Sequence, residues 1–432
     1  MSLPPSNEQF IRRNFRYNFT VNILDGGFFG FALGFASFIT IIPLFVSQMT
    51  DSAMLIGLIP AIHGAGWQLP QLLTADQVSR AKRYKPLALL MTLHERLPFL
   101  GLAIIAWFLP KMETQTALFL TFVLLIWQGL GGGFTANAWT NMISKIIPPE
   151  LHGTFFGAQT AAFTAFEAVA AILAGLTLDR LDRPLDFTLC FLAAVLGMII
   201  SYIFISLTRE PDSVKTTTDS LPADFWKKSG RILRLNHNFS IFLGVRSLSQ
   251  FAVMGFSFYI IYAVWHFEIN EFIAGVMTTV FLIANILASL LMGRWADRWS
   301  PRKVMAIGAL GSVLSALLAW LAPSAEWFYL ALVFASLGAV ATWTIPMALT
   351  IRFGSENERP FYIGLSNTTS APASILAPIF GGWLADAFGF QATFIVSALC
   401  GLSMAAVLYF ALQDPVRTQT TIPQPIIRTP VE

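Results

Sequence analysis

The chain is predicted to be an all-α membrane protein: twelve transmembrane helices in two pseudo-symmetric six-helix bundles. Three observations predict this. There is too little charge for a water-facing surface, there are twelve apolar stretches of spanning length, and the basic residues alternate with those stretches. Of the 432 residues, 55% are hydrophobic and 12% carry charge, against roughly 25% charged in an average soluble domain. A soluble chain of this length has no interior large enough for so much apolar surface, so lipid is expected to take it.

The opening MSLPPSNEQFIRRNFRYNF is polar and basic and lacks the short apolar core of a signal peptide, so the first apolar run reads as the first span. A spanning helix needs about 20 mostly apolar residues. Spans 1 to 6 are predicted at 19–47, 52–74, 86–109, 115–143, 154–178 and 187–208, and spans 7 to 12 at 239–265, 271–293, 303–322, 327–350, 361–385 and 390–412. The chain then divides into an N-terminal cytoplasmic segment (1–18), a first bundle (19–208), a central cytoplasmic loop (209–238), a second bundle (239–412) and a tail (413–432) expected to be disordered. Within the central loop, DFWKKSGRILRLNHNF mixes aromatic and aliphatic residues with basic ones. That composition fits a short amphipathic helix on the membrane face and, equally, a solvated basic linker.

The charges test this threading. On the side of both termini lie 22 of the 27 lysines and arginines; Lys111, Arg180 and Arg183 lie on the other, and only Arg96 and Arg246 fall within spans. One misplaced span would scramble that alternation. The positive-inside rule therefore predicts a multi-pass protein of the cell (inner or plasma) membrane with both termini cytoplasmic.

Other classes are disfavoured. A net charge of +3 gives no basis for a nucleic-acid partner. The two cysteines, Cys190 and Cys400, sit in apolar runs, where neither a disulfide framework nor a zinc site is supported. No phosphate-binding loop, dinucleotide fingerprint, paired metal-ligand motif or nucleophile elbow occurs, so no enzyme and no cofactor are expected.

The two halves repeat each other. Gly157 and Asp179 are 22 apart, as are Gly364 and Asp386; the same shift of 207 carries Gly175 onto Gly382 and Phe187 onto Phe394. Trp139-Thr140 recurs as Trp343-Thr344, Asn18-Phe19 as Asn238-Phe239, and Ala75-Asp76 as Ala296-Asp297. Matches in the same order in both halves point to a duplicated six-helix unit.

Between spans 8 and 9 the chain reads Gly293-Arg-Trp-Ala-Asp297-Arg298-Trp-Ser-Pro-Arg302-Lys303. This resembles the signature loop of the major facilitator superfamily, roughly G-x-x-x-D-R-x-G-R-R/K. The loop between spans 2 and 3 is a degraded copy: Leu72 replaces the glycine, while Asp76, Arg80, Lys82 and Arg83 remain. Ser79 and Ser300 stand where the second glycine is usual, and Gly381-Gly382-Trp-Leu-Ala-Asp386-Ala-Phe-Gly389 resembles the family's end of span 11. The resemblance implies a substrate site between the bundles, lined by spans 1, 4, 7 and 10, and a latch that holds the outward-facing state. Asp76, Arg80, Asp297, Arg298 and Arg302 are the latch candidates: an aspartate there can cap a neighbouring helix and the arginines can pair across the seam. Two features of the family's drug/proton antiporters are missing. Leu125 occupies the arginine position of the span 4 motif, although Gln128-Gly129-Leu130-Gly131 follows, and span 5 has no proline.

Ionisable residues inside spans are costly, at about 2.5–3.5 kcal/mol on insertion scales. Asp25 and Arg246 lie at nearly equivalent depths of spans 1 and 7, roughly 10–12 Å along each helix. They are read as a gate pair or as substrate ligands facing the cavity, the alternative being that each pairs within its own bundle. Glu167, midway along span 5, is a candidate for proton coupling or substrate binding, against a structural glutamate; its repeat partner is Ser374. His63, Glu95 and Arg96 are read as a structural charge cluster linking spans 2 and 3. Gln128, Asn137, Trp139, Gln250, Asn285 and Trp343 are uncharged candidates for the cavity wall.

The expected function is secondary-active transport of a small organic solute by alternating access, in a monomer bathed by lipid, with the proton as a candidate coupling ion. A drug efflux pump, and a receptor or scaffold on a transporter fold, are the alternatives.

Overall fold

The computed structural model describes residues 7–212, 225–269, 271–356 and 358–415. Among them the chain is helical throughout, with no strand. The first half comprises α1 (Asn7–Phe35), α2 (Ile41–Val46), α3 (Ala53–Gln68), α4 (Gln71–Arg80), α5 (Lys85–Phe108), α6 (Thr114–Ile146), α7 (His152–Arg180) and α8 (Leu185–Ser206). After α9 (Phe225–Leu235), the second half comprises α10 (His237–Ala252), α11 (Phe256–Phe267), α12 (Glu271–Arg298), α13 (Pro301–Leu321), α14 (Trp327–Trp343), α15 (Ile345–Thr350), α16 (Arg359–Phe388) and α17 (Phe390–Ala406), which continues as a π-helical turn, Val407–Ala411. The central-loop reading is resolved in favour of a helix over Phe225–Leu235, with Ile232 buried and Arg231 and Arg234 exposed. Residues 213–224 of that loop, and the predicted tail from 416 on, lie outside the described residues.

Among the described residues, ten helical segments are long and apolar enough to cross a membrane. The remaining two spans are more polar or broken. Span 1 carries Asn14, Asn18, Asn22 and Asp25, all buried along one stripe of α1. Span 2 breaks between α3 and α4 at Leu69-Pro70. Pro70 cannot donate to the preceding turn, so the helix restarts after it. Spans 7 and 10 also consist of two pieces each, α10–α11 and α14–α15.

The repeated asparagines explain themselves here. Asn18 donates from Nδ2 to the Arg209 carbonyl (2.8 Å) and accepts from the Arg209 N–H (2.9 Å). Asn238 does the same with Gln413, at 2.9 and 2.8 Å. Each side-chain amide thus mimics a backbone and ties the start of a bundle to the residue just beyond its last span. Asn22 extends the first clasp to Thr208 (3.1 Å), and Arg209 reaches Asn14 (3.1 Å).

The bundles meet along two seams related by the repeat, α7 against α12 and α16 against α4. Small residues set the distance. A Cβ on Gly157 would stand 3.0 Å from the Gly293 Cα, and one on Gly364 would stand 2.8 Å from the Leu72 Cα. The repeat therefore maps one close approach onto the other, a shift of 207 carrying Gly157 onto Gly364 and one of 221 carrying Leu72 onto the signature Gly293.

At the first seam Asp297 does what its motif implies. Its carboxylate accepts from the N–H groups of Gly153 (2.7 Å) and Thr154 (2.5 Å), the first turn of α7. The chain before α7 offers no side-chain cap of its own, so the opposite bundle supplies one. Arg352 approaches the same carboxylate at 3.9 Å. Asp76 and Arg302 have partners within their own bundles. Asp76 pairs with Arg80 one turn along α4 (2.9 Å). Arg302 donates to the carbonyls of Leu408 and Leu412 (3.2 and 2.5 Å), closing the irregular end of span 12 within its own bundle. Arg298 is exposed and has no ion-pair partner among the described residues. The cross-seam role expected of Arg302 is thus corrected: the π turn leaves carbonyls in need of a donor, and Arg302 serves them.

The second seam is held by polar contacts. Asn137 donates to the Pro360 carbonyl (3.0 Å), Arg359 to Ser144 (2.8 Å), Asn367 to Gln71 (2.6 Å) and Gln68 to Ser374 (2.9 Å). These residues, like the Thr160–Thr344 contact (3.1 Å), lie in the half of the molecule nearest the loops that follow spans 2, 4, 6, 8 and 10. Among the described residues no cross-bundle hydrogen bond lies in the other half. Cross-bundle hydrogen bonds thus close the face at which the described residues begin and end.

Two predictions follow from these contacts. Asp297→Ala removes the cap of α7 only in the state seen here, so it should disfavour that state by about 1–2 kcal/mol. Spin-label distances across the closed face should report the shift as a larger separated population; unchanged distributions would refute the cap. Asn18→Ala leaves the part-buried N–H and C=O of Arg209 without their partner and should cost about 1–2 kcal/mol. Asn238→Ala, at a more exposed clasp, should cost less in the same thermal unfolding series.

Candidate functional site

A cavity of about 250 Å³ lies among α1, α3, α5, α6 and α7, with Met347 of α15 closing it from the other bundle. Its polar wall is Asp25, Glu95 and Arg96, each under 9% exposed. Arg96 reaches Asp25 at 3.4 Å and donates to Ser201 Oγ at 2.8 Å; Ser201 in turn donates to Asp25 at 2.6 Å. Glu95 Oε2 stands 4.0 Å from the same guanidinium. The Arg96 guanidinium lies over the Phe29 ring, 5.3 Å from its centroid. Two carboxylates thus share one fixed cation, where water does not screen them.

Local sequence makes this arrangement. Gly131, Gly132 and Gly133 form one wall of α6. A Cβ on Gly131 would stand 2.5 Å from the Glu95 N, and one on Gly132 would stand 2.8 Å from Glu95 Oε1. Only without those side chains can α5 come close enough to turn Glu95 and Arg96 inward. On α1, Gly26 faces Gln159, whose Cγ would lie 2.7 Å from a Cβ there.

A second, smaller cavity of about 20 Å³ adjoins the first, sharing Trp67 and Met347. Arg246, Trp343, Thr140 and Asn367 line it. Arg246 is 4% exposed; it donates to the Thr342 carbonyl (2.7 Å), Asn367 Oδ1 (3.1 Å) and Ser370 Oγ (3.4 Å). Among the described residues no carboxylate lies within ion-pair distance of it, and its Nε has no hydrogen-bond partner.

The direct Asp25–Arg246 pair is therefore corrected. Each residue bonds within its own bundle and lines its own cavity, because Arg96 lies nearer to Asp25 than any cation of the second half. The grouping of Glu95 and Arg96 with His63 is corrected as well. His63 Nδ1 pairs with Gln128 Oε1 (3.0 Å) and its ring stacks on Phe38 at 4.0 Å, while Glu95 and Arg96 face the cavity. The repeated tryptophans line one cavity each, Trp139 the larger and Trp343 the smaller. Asn137 holds the seam, and Gln250 is buried with Nε2 unpartnered. Asn285 is half-buried on α12, and Glu167 is half-buried on α7 one turn beyond the cavity-lining Phe163, with no partner among the described residues. Sequence reasoning did not single out Thr92, Gln159, Thr160 or Ser201. Small polar residues recur throughout the spans, and only the glycine run opposite Glu95 signalled where the wall would form. Among the described residues no group of three or more His, Cys, Asp or Glu side chains is placed to hold a metal ion.

Comparison with known proteins places this geometry in a family. The family model for the Major Facilitator Superfamily matches residues 96–267 and 242–430. The multidrug resistance protein MdtG of Proteus mirabilis is 26% identical over 302 residues, 66% of this chain and 71% of that protein. The MFS-type transporter C18.02 of Schizosaccharomyces pombe is 30% identical over 141 residues, and there the alignment spans only 31% of the relative's length. Among solved structures, the fucose:proton symporter FucP of E. coli superposes with a TM-score of 0.74 at 16% identity, covering 91% of this chain and 98% of that one. Two six-helix halves and a family match over most of the length agree: the chain belongs to the Major Facilitator Superfamily and is a multi-pass membrane protein.

Proposed function

We propose that this protein carries a small organic solute across the cell membrane by secondary-active alternating access, with both termini cytoplasmic and with Asp25, Arg96 and Glu95 as its coupling centre. One observation carries the reading: two buried acids share a single arginine on the wall of a cavity closed at one face. When one carboxylate pairs with Arg96, the other is left to take a proton or a cationic group. Changing that partner alters the charge at the junction of α1, α5 and α8, which is where a bundle would sense whether it is loaded. The rest of the cavity, Phe29, Trp67, Trp139 and Phe163 with Thr92 and Gln159, suits an organic solute with a flat apolar body and few polar groups.

The likeness in fold to FucP supports proton coupling as one form of this reading, since that protein is a fucose:proton symporter. A second reading, multidrug efflux, draws on the kinship with MdtG and on the largely aromatic wall. It lacks the span 4 arginine and the span 5 proline of drug/proton antiporters. Glu167, without a partner and close to the cavity, is a further coupling candidate.

Two measurements test the coupling centre. Arg96→Ala leaves Asp25 and Glu95 buried without a counter-charge and should destabilise the protein by about 3–5 kcal/mol; the exchanged pair Asp25→Arg with Arg96→Asp should recover part of that loss, whereas Asp25→Arg with Arg246→Asp should recover none. In proteoliposomes, Asp25→Asn or Glu95→Gln should abolish gradient-driven accumulation while leaving substrate counterflow. Accumulation that survives both substitutions unchanged would remove these carboxylates from the coupling step. The same assay on Glu167→Gln decides whether that carboxylate shares the role.

A further inference from the structure

Arg246 is the one buried cation near the cavities with no carboxylate beside it among the described residues. Its three acceptors are a carbonyl, an amide oxygen and a hydroxyl, which orient the guanidinium without neutralising it. A charge removed from water and met only by neutral dipoles is costly, and a ligand of opposite sign relieves that cost. Across the shared Trp67 and Met347 the balance is reversed, with two carboxylates against one arginine.

We infer that the transported solute is an organic anion whose acidic group is held by Arg246. The size of the smaller cavity supports this division. At about 20 Å³ it has room for roughly one water-sized group, so it takes the oxygen of a carboxylate or sulfonate and not the body of a solute. The neighbouring space of about 250 Å³, with its aromatic walls, takes the body. Trp343 lines the small cavity and is 43% exposed. Asn367 bonds both Arg246 and, through its amide, Gln71 of the opposite bundle. An anion arriving at Arg246 therefore competes for a guanidinium whose partner also holds the seam, which joins binding to the contact that must break when the bundles rock. This inference rests on the transport reading above for the word "transported" but not for the binding itself.

The experiment is a thermal-shift screen of the full-length purified protein against matched probes: aromatic and aliphatic carboxylates and sulfonates, their neutral amides, and the corresponding amines. The expected result is stabilisation by anionic members in preference to neutral and cationic ones. Arg246→Gln should weaken the best anion by about thirtyfold or more, as loss of a buried charge partner does, and Arg246→Lys should restore part of that loss. Equal stabilisation by the amides or amines, a panel with no anion that binds, or an Arg246→Gln protein that keeps the preference would overturn the assignment. Because binding is read without a gradient, a protein that binds anions but fails in counterflow would refute transport alone, and one that moves only cations would refute this inference alone.

Discussion

A charge held away from water must meet an opposite charge, a set of aligned dipoles or a ligand, and three residues of this protein show the three solutions. Asp25 meets Arg96. Asp297 meets the N–H groups at the start of α7, which lie in the other bundle. Arg246 meets neutral oxygens only. Because lipid offers no polar group of its own, each solution constrains which helices lie next to one another. The first joins α1, α5 and α8 into one bundle, the second joins the bundles, and the third leaves a site that the chain does not fill.

The seams show how duplication is turned to unequal use. Both rely on a glycine at the start of a span, Gly157 or Gly364, that admits the backbone of the facing helix. On one side the facing residue is Gly293 and the contact is helix on helix, sealed by an aspartate cap. On the other it is Leu72, and polar side chains on α4 and α16 replace the cap. A hydrogen-bonded seam of amides and hydroxyls can be exchanged bond by bond as the bundles move. A carboxylate on a helix terminus is made or lost as a unit.

Much of this was legible in residue order. The spans, the duplication and the signature loop follow from composition, spacing and motif, because lipid imposes a length and a polarity on every helix that crosses it. The asparagine clasps were visible as a repeated Asn-Phe pair, though not their purpose. Asp297 could be read as a cap because the loop it sits in resembles the family's signature loop. The charge partners could not be read. Asp25 and Arg246 match in depth, but depth along two helices says nothing about azimuth, and Arg96 was nearer. Glu95 and Arg96 turned inward because a glycine run on α6 let α5 approach, a fact about two helices at once.

By itself, then, the sequence determined that the chain crosses a membrane in two matched halves and which residues would be expensive to bury. Those are properties of single segments against a uniform solvent. Tertiary structure alone decided which costly groups relieve one another, which face is shut, and where a cation is left waiting, since each depends on the approach of helices far apart in the chain.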